Sequence, residues 1–234
     1  MKSKIICITA ALSFIISAAA YNFLPEQIPA HYDISGNVDR YGSRNEIFFY
    51  PCLILVLTVS YFIVMKLLEK SISKANSEKD AEMKKNNSKV ISAVFLCMIF
   101  IQFGMHCISV FSKIVQYRGL YGFDEKTSFD IQMSMLTLML GIMYIVLGNI
   151  MSKTKRNGAV GFRTNSSMKN DYTWQQSNRF AGRAMMMTGV ISLVLAFVLK
   201  GISSIFFMLG CLIICVIVSC IYSYKIAEGQ NKSE

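Results

Sequence analysis

Residues 202–224 read ISSIFFMLGCLIICVIVSCIYSY, a run without one charged side chain. A helix rising about 1.5 Å per residue needs roughly 20 such residues to cross a hydrocarbon core about 30 Å thick. Hydrocarbon offers backbone N–H and C=O groups no partner, so a spanning segment must bond internally as a helix. Five further runs read the same way: Ile5–Phe23, Ile47–Leu68, Val90–Phe111, Ile131–Met151 and Ala184–Leu199. Only 16% of the chain is charged and 53% is hydrophobic, whereas soluble domains carry about 25% charge. The predicted fold class is an all-α integral membrane protein. It is a bundle of six transmembrane helices with a small ordered extracellular cap between helices 1 and 2.

Lys2 and Lys4 precede an apolar run that passes through Ser17-Ala18-Ala19-Ala20, a pattern resembling a signal-peptide cleavage site. The run continues past that point and more spans follow, which favours a retained first helix. Counting Lys and Arg by loop orients the rest. With the N terminus inside, 18 of the 24 basic residues fall on the inner side, while the acidic residues divide evenly. Both termini are therefore predicted to be cytoplasmic, in a multi-pass bacterial cell-membrane protein. The lipid bilayer is the first partner, and the +10 net charge follows from topology and an anionic inner leaflet. No recognition module accompanies that charge, so nucleic acid is not a predicted partner.

The seven cysteines lie within apolar runs, form no Cys-x-x-Cys pair and read as small fillers of helix interfaces. No metal site is predicted. Residues 69–89 form a mixed-charge connector, read as solvated and partly helical or disordered. After the third span, Gly119 and Gly122 stand beside Tyr117, Tyr121 and Phe123, an arrangement suited to interfacial anchoring. Near Gly201 almost no loop remains between the last two spans, which predicts a tight helical hairpin.

Polar residues within the third span are costly there. Gln102, His106, Ser109 and Lys113 recur at spacings of one helical turn and share one face. That stripe either bonds neighbouring helices or walls a hydrated pocket in the outer half. Ser134, Thr137, Gly141, Tyr144 and Gly148 align likewise on the fourth span and read as a close-packing face. No span holds an Asp, Glu, Lys or Arg in its interior, which disfavours a coupled transporter. Protease and nucleotide-binding motifs are missing from the sequence, so no catalytic residues and no cofactor are predicted.

Two polar segments are specified rather than filled in. Between the first two spans, residues 24–46 read LPEQIPAHYDISGNVDRYGSRNE. Leu24 and Ile28 precede Pro25 and Pro29, which biases them towards extended backbone. Ser35-Gly36-Asn37 is a turn signal, so a hairpin around Gly36 is expected. His31 and Asp33 are too few for a metal centre, and His31 is expected to bond backbone. After the fourth span, residues 160–182 read VGFRTNSSMKNDYTWQQSNRFAG. Asn157-Gly158 and Gly161 suggest a flexible exit from the membrane. Thr173 with Gln176 matches a capping box, and Tyr172 and Trp174 suit the headgroup zone.

The second segment resembles the signature of the SdpI family, bacterial membrane proteins named for immunity to a sporulation-delaying peptide toxin. The matching residues are Gly161-Phe162-Arg163-Thr164, Ser167-Met168, Trp174, Asn178-Arg179 and Gly182. Phe162 stands where an aliphatic residue is usual, and Asn165-Ser166 where a Pro-Trp pair is common. The first segment resembles that family's N-terminal domain of unknown function through Leu24-Pro25, Ile28-Pro29, His31, Gly36, Asp39, Tyr41 and Gly42. The expected organisation is 1–68 for the N-terminal domain, 69–89 for a charged linker and 90–234 for the SdpI-like domain, with the signature at 157–183.

The resemblance implies a non-enzymatic immunity protein with a peptide toxin as candidate partner at the outer cap. The alternative is a signalling or sequestration protein whose basic cytoplasmic tract, with Trp174 and Arg179, docks a soluble transcription regulator. A small-molecule transporter using Gln102 or His106 ranks third.

Overall fold

Six helices carry the apolar runs: α1 (Lys2–Tyr21), α2 (Phe49–Ser73), α3 (Glu78–Tyr117), α4 (Glu125–Met151), α5 (Asp171–Val198) and α6 (Ile202–Asn231). All six are long and apolar enough to cross a membrane. The structure is a computed structural model and describes residues 2–119 and 123–231. Tyr121, Gly122 and Lys232 therefore lie outside the described residues. Helix α6 shows why lipid is the solvent: only 17% of its most apolar window is buried within the chain. Ile213, Ile214 and Val218 stand exposed along it, a surface that water would not tolerate.

Two helices start well before their apolar runs. Helix α3 has 40 residues, about 60 Å of helix, or twice the hydrocarbon thickness. Its first turn holds Glu78 and Asp80, which complement the positive end of the helix dipole. Ser77 Oγ accepts from the Asp80 N–H at 3.2 Å as an N-cap, and Asp80 pairs with Lys84 at 2.8 Å. The connector 69–89 is thus helical except at 74–77. Helix α5 likewise begins at Asp171, ahead of its apolar run from Ala184 and two residues before Thr173, where the capping pattern placed a helix start.

The segment between α1 and α2 is a two-stranded antiparallel hairpin, β1 (Gln27–Tyr32) with β2 (Val38–Ser43). Ile28 pairs with Gly42 and Tyr32 with Val38, with irregularities at Pro29/His31 and His31/Tyr32. Pro29 brings no N–H to the ladder, and a ladder that slips there leaves Ala30 unpaired. The turn is the one expected. Gly36 takes φ +86°, and Asp33 Oδ1 accepts from the Ser35 and Asn37 N–H groups at 2.8 and 2.9 Å.

The chain divides into two compact units. The first comprises Met1–Lys66, Ser92–Leu136 and Ala196–Ile205. Ile6 and Ala10 of α1, Ile54 and Tyr61 of α2 and Ile99 of α3 form one buried cluster in it. A second cluster joins Ala20, Leu24, Ile28, Ile47 and Val110, which ties the hairpin to α1 and α3. The second unit comprises Leu67–Ile91, Thr137–Leu195 and Phe206–Glu234. There, α4 meets α5 through glycines: a Cβ on Gly148 would lie 2.5 Å from the Gly182 carbonyl oxygen, and one on Gly189 2.6 Å from that of Gly141. The α4 face read as close-packing is this contact, with Thr137 and Tyr144 also buried in the chain. Phe180 stacks on Tyr222 at 4.1 Å, holding α5 against α6 as an antiparallel hairpin joined by residues 199–201.

The cysteines correct their reading as interface fillers. Cys7, Cys52 and Cys220 are exposed and the other four are half-buried. A thiol is small and apolar enough to sit on a lipid-facing surface as well as between helices.

The α4–α5 approach leaves no room for a methyl group. Gly182→Ala should lower stability in detergent by about 1–3 kcal/mol. Gly210→Ala, which meets open space, should be neutral or stabilising by up to about 1 kcal/mol. Thermal melts of the two variants against wild type measure the contrast.

Candidate functional site

In the first unit, the hairpin and the α3 stripe enclose a cavity of about 370 Å³. Pro29 and His31 line it from β1, Arg40 from β2, and His106, Ser109 and Lys113 from α3. Gln102 lies one turn further along α3, half-buried and outside the lining. His106 of the stripe also bonds a neighbouring helix. His106 Nε2 faces the Ser13 carbonyl oxygen at 3.1 Å and Ser17 Oγ at 3.3 Å, binding α3 to α1. A carbonyl oxygen only accepts, so Nε2 carries the proton and Nδ1 of the neutral ring is an acceptor. That buried Nδ1 has no hydrogen-bond partner among the described residues.

The charges around the cavity are organised by the hairpin. Arg40 Nη1 and Nη2 both donate to Glu46 Oε1 and Oε2, each at 2.9 Å, a bidentate pair that holds the guanidinium above its ordinary pKa. Glu46 also interacts electrostatically with Lys113, whose Nζ donates to Ser109 Oγ at 2.7 Å. Gly42 lies beneath this clamp, where a Cβ would sit 2.0 Å from Glu46 Oε1 and displace that carboxylate. Tyr41 donates its hydroxyl to Glu125, which raises the phenol pKa. Gly36 rests on the Phe129 ring, and Leu24 and Ile28 are core. Pro25 follows Leu24 where the chain leaves α1.

His31 departs from expectation. Its Nδ1 meets Asp39 Oδ1 at 2.6 Å, a side-chain partner rather than backbone. The ladder irregularity between His31 and Tyr32 leaves Asp39 unpaired and free to bond across. Asp33 is committed to the turn instead. The Asn37 backbone N–H, and then its side-chain amide, hold the Asp33 carboxyl below the ordinary aspartate range.

In the second unit, the signature tract is a closed hydrogen-bonded fold. Asn178 Oδ1 accepts from the Phe162 N–H at 2.7 Å while its Nδ2 donates to the Phe162 and Trp174 carbonyls. Gly161, at φ +124°, lies against the Trp174 ring and Asn178, where a Cβ would meet both within 3 Å. Thr164 and Ser167 cross-bond: the Thr164 N–H donates to Ser167 Oγ at 2.8 Å and the Ser167 N–H to Thr164 Oγ1 at 3.1 Å. Thr164 Oγ1 also reaches Ser223 of α6 at 3.1 Å. Gly182 is the α4 contact already described. Arg163 and Arg179 are the exposed members of the motif.

Three readings of this tract are corrected. Trp174 is not a headgroup anchor: it is 1% exposed, and its indole N–H donates to the Thr154 carbonyl at 2.8 Å. A ring this large stabilises most when enclosed with its one donor satisfied. It presents no surface to a docking protein. The exit at Asn157-Gly158 is not free, because Asn157 accepts from the Ala159 and Val160 N–H groups and donates to the Lys155 and Val160 carbonyls. The capping pair at the start of α5 is Asn170 with Thr173, not Thr173 with Gln176. Asn170 Oδ1 accepts from the Thr173 N–H at 2.8 Å, and Thr173 Oγ1 from the Asn170 N–H at 3.1 Å.

Residues 153–223, which hold this tract, match the SdpI/YfhL protein family, and residues 8–55, which hold the hairpin, match a domain of unknown function (DUF1648). Across 234 residues, covering all of both chains, the sequence is 25% identical to "Immunity protein SdpI" of Bacillus subtilis (strain 168). The chain is thus similar to that immunity protein along its full length. A stretch of 60 residues is 33% identical to an "Uncharacterized protein" of Archaeoglobus fulgidus, covering 26% of this chain and 33% of that one. No solved structure matches.

Glu46 carries no motif signal in the sequence, although it is polar, ends the cap segment and is committed to Arg40. Asn178 was noted within the signature, but its grip on Phe162, sixteen positions away, has no local trace.

Asn178→Ala should leave both polar groups of Phe162 without these bonds and cost about 1–3 kcal/mol. Trp174 is the chain's one tryptophan, so a red-shifted emission with a lowered melting point reports the loss directly. The hairpin turn has its own signature. A carboxyl with a depressed folded pKa contributes stability above its unfolded value of about 3.9 and loses it as pH falls through the folded value. The Ser35 and Asn37 amide resonances should therefore hold steady until the pH drops below about 3.9 and shift only beneath it.

Proposed function

We propose that this SdpI-like chain is an immunity protein, a non-enzymatic multi-pass membrane protein that protects its cell from a membrane-active peptide toxin. The observation carrying this reading is the cavity beneath the hairpin, joined to full-length similarity with an immunity protein. A peptide brings amide N–H donors, carbonyl acceptors and basic or acidic side chains. The lining answers each class: Lys113 donates, and the Arg40–Glu46 pair presents both signs. Pro29, Val110 and Phe129 supply apolar wall for a hydrophobic residue. The hairpin and cavity face outward in this reading, the orientation that the distribution of basic residues supports. The toxin is bound there or kept from its target.

The test is expression in a toxin-sensitive strain challenged with a panel of membrane-active peptides. Wild type should raise the tolerated concentration of at least one peptide. Lys113→Met, inserted at equal level, should lower that protection by about tenfold or more, as expected for the loss of one charged contact. Wild type inserted in the membrane yet protecting against no peptide of the panel would remove the proposal.

A further inference from the structure

Arg179 and Arg183, one turn apart on the exposed face of α5, line a cleft of about 1050 Å³ in the second unit. Lys79, Lys153, Lys155 and Arg156 line it with them, against a single carboxylate, Asp171. That carboxylate is committed: Asp171 Oδ1 holds Arg156 Nε at 2.7 Å, and Arg156 also donates to the Met168 and Lys169 carbonyls. Lys155 meets Glu82 at 3.7 Å. Lys79, Lys153, Arg179 and Arg183 have no ion-pair partner among the described residues. Like charges gathered around one cleft repel unless an anion enters it.

The wall of the cleft is rigid. Trp174 lies in it, anchored through its indole to the Thr154 carbonyl, so the residues beside Lys153 and Arg179 are held in place. Below the arginines the same face of α5 turns apolar. Met187, Val190 and Val194 follow Arg183 at helical spacing, and all three are exposed. A double-guanidinium head with an exposed apolar stripe beneath it matches one ligand shape.

We propose that this cleft binds the phosphate headgroup of an anionic phospholipid, with Arg179, Arg183 and Lys153 on the phosphate and an acyl chain along Met187, Val190 and Val194. Arginine forks suit phosphate oxygens, and clustered cations at a helix end select anionic over zwitterionic lipid. The site is built from second-unit residues alone and does not depend on toxin binding.

The full chain in detergent is incubated with phosphatidylglycerol or phosphatidylcholine, and retained lipid and melting temperature are read by native mass spectrometry and thermal shift. Phosphatidylglycerol should be retained and should raise the melting point, and phosphatidylcholine should do neither. R179Q/R183Q should weaken phosphatidylglycerol binding by about tenfold or more, while K74Q, outside the cleft, leaves it unchanged. If R179Q/R183Q alters Trp174 emission, K153Q, whose side chain holds no fold contact, must still weaken binding by about fivefold. Equal retention of the two lipids, or equal binding by wild type and the cleft variants, overturns the site. Stabilisation by inorganic phosphate matching that by the lipid overturns the lipid assignment and makes a phosphate-bearing solute the ligand.

Discussion

Backbone polar groups cut off from water must find partners inside the chain, and the rest of this structure depends on that constraint. The helices satisfy it turn by turn. The two segments that leave helical geometry satisfy it with side chains. Asp33 collects the N–H groups of its turn, and Ser17 donates to the Ile47 carbonyl where the chain enters α2. In the signature tract Asn157, Ser167, Asn170 and Asn178 do the same for backbone that no ladder could reach. This is why the tract is rich in Asn, Ser and Thr and why Ser167, Thr173 and Asn178 are buried. Its polarity is structural cement rather than a solvated surface.

Once these residues are assigned to the fold, the groups left over stand out. Around the hairpin they are the acceptor nitrogen of His106, the Lys113 ammonium and the Arg40–Glu46 pair. In the signature unit they are the arginines and lysines of the basic cleft. The two sets have different chemistry, mixed-sign and partly apolar in one, almost wholly cationic in the other. A peptide suits the first and a phosphate the second.

The six spans were legible because hydrocarbon imposes a length and an apolarity that few other environments demand. The hairpin was legible at Ser35-Gly36-Asn37, since a positive φ and a short polar side chain are what such a turn requires. Helix starts were less so. Hydropathy marks where a helix enters lipid, but α3 runs on beyond its apolar stretch to the cap at Ser77, while for α5 the capping pattern at Thr173 came within two residues of the start. Trp174 misled for a related reason. Its residue type fits both a headgroup belt and an interior slot, and the choice turns on Gly161 and the Thr154 carbonyl, distant by thirteen and twenty positions.

The amino-acid order by itself determined a six-helix membrane protein, the hairpin between the first two spans and the resemblance to the SdpI family. These follow from local rules: hydropathy over a helix length, turn chemistry, and residues at set spacings. Only the tertiary structure decided which polar residues meet. His106 reaches α1 because α1 and α3 pack around Ile6, Ala10 and Ile99. Lys153 joins Arg179 and Arg183 because the Gly148–Gly182 approach lays the end of α4 against the start of α5. Such meetings rest on a missing Cβ and on carbonyls within a few ångströms, and no pattern along the chain records which glycine will face which.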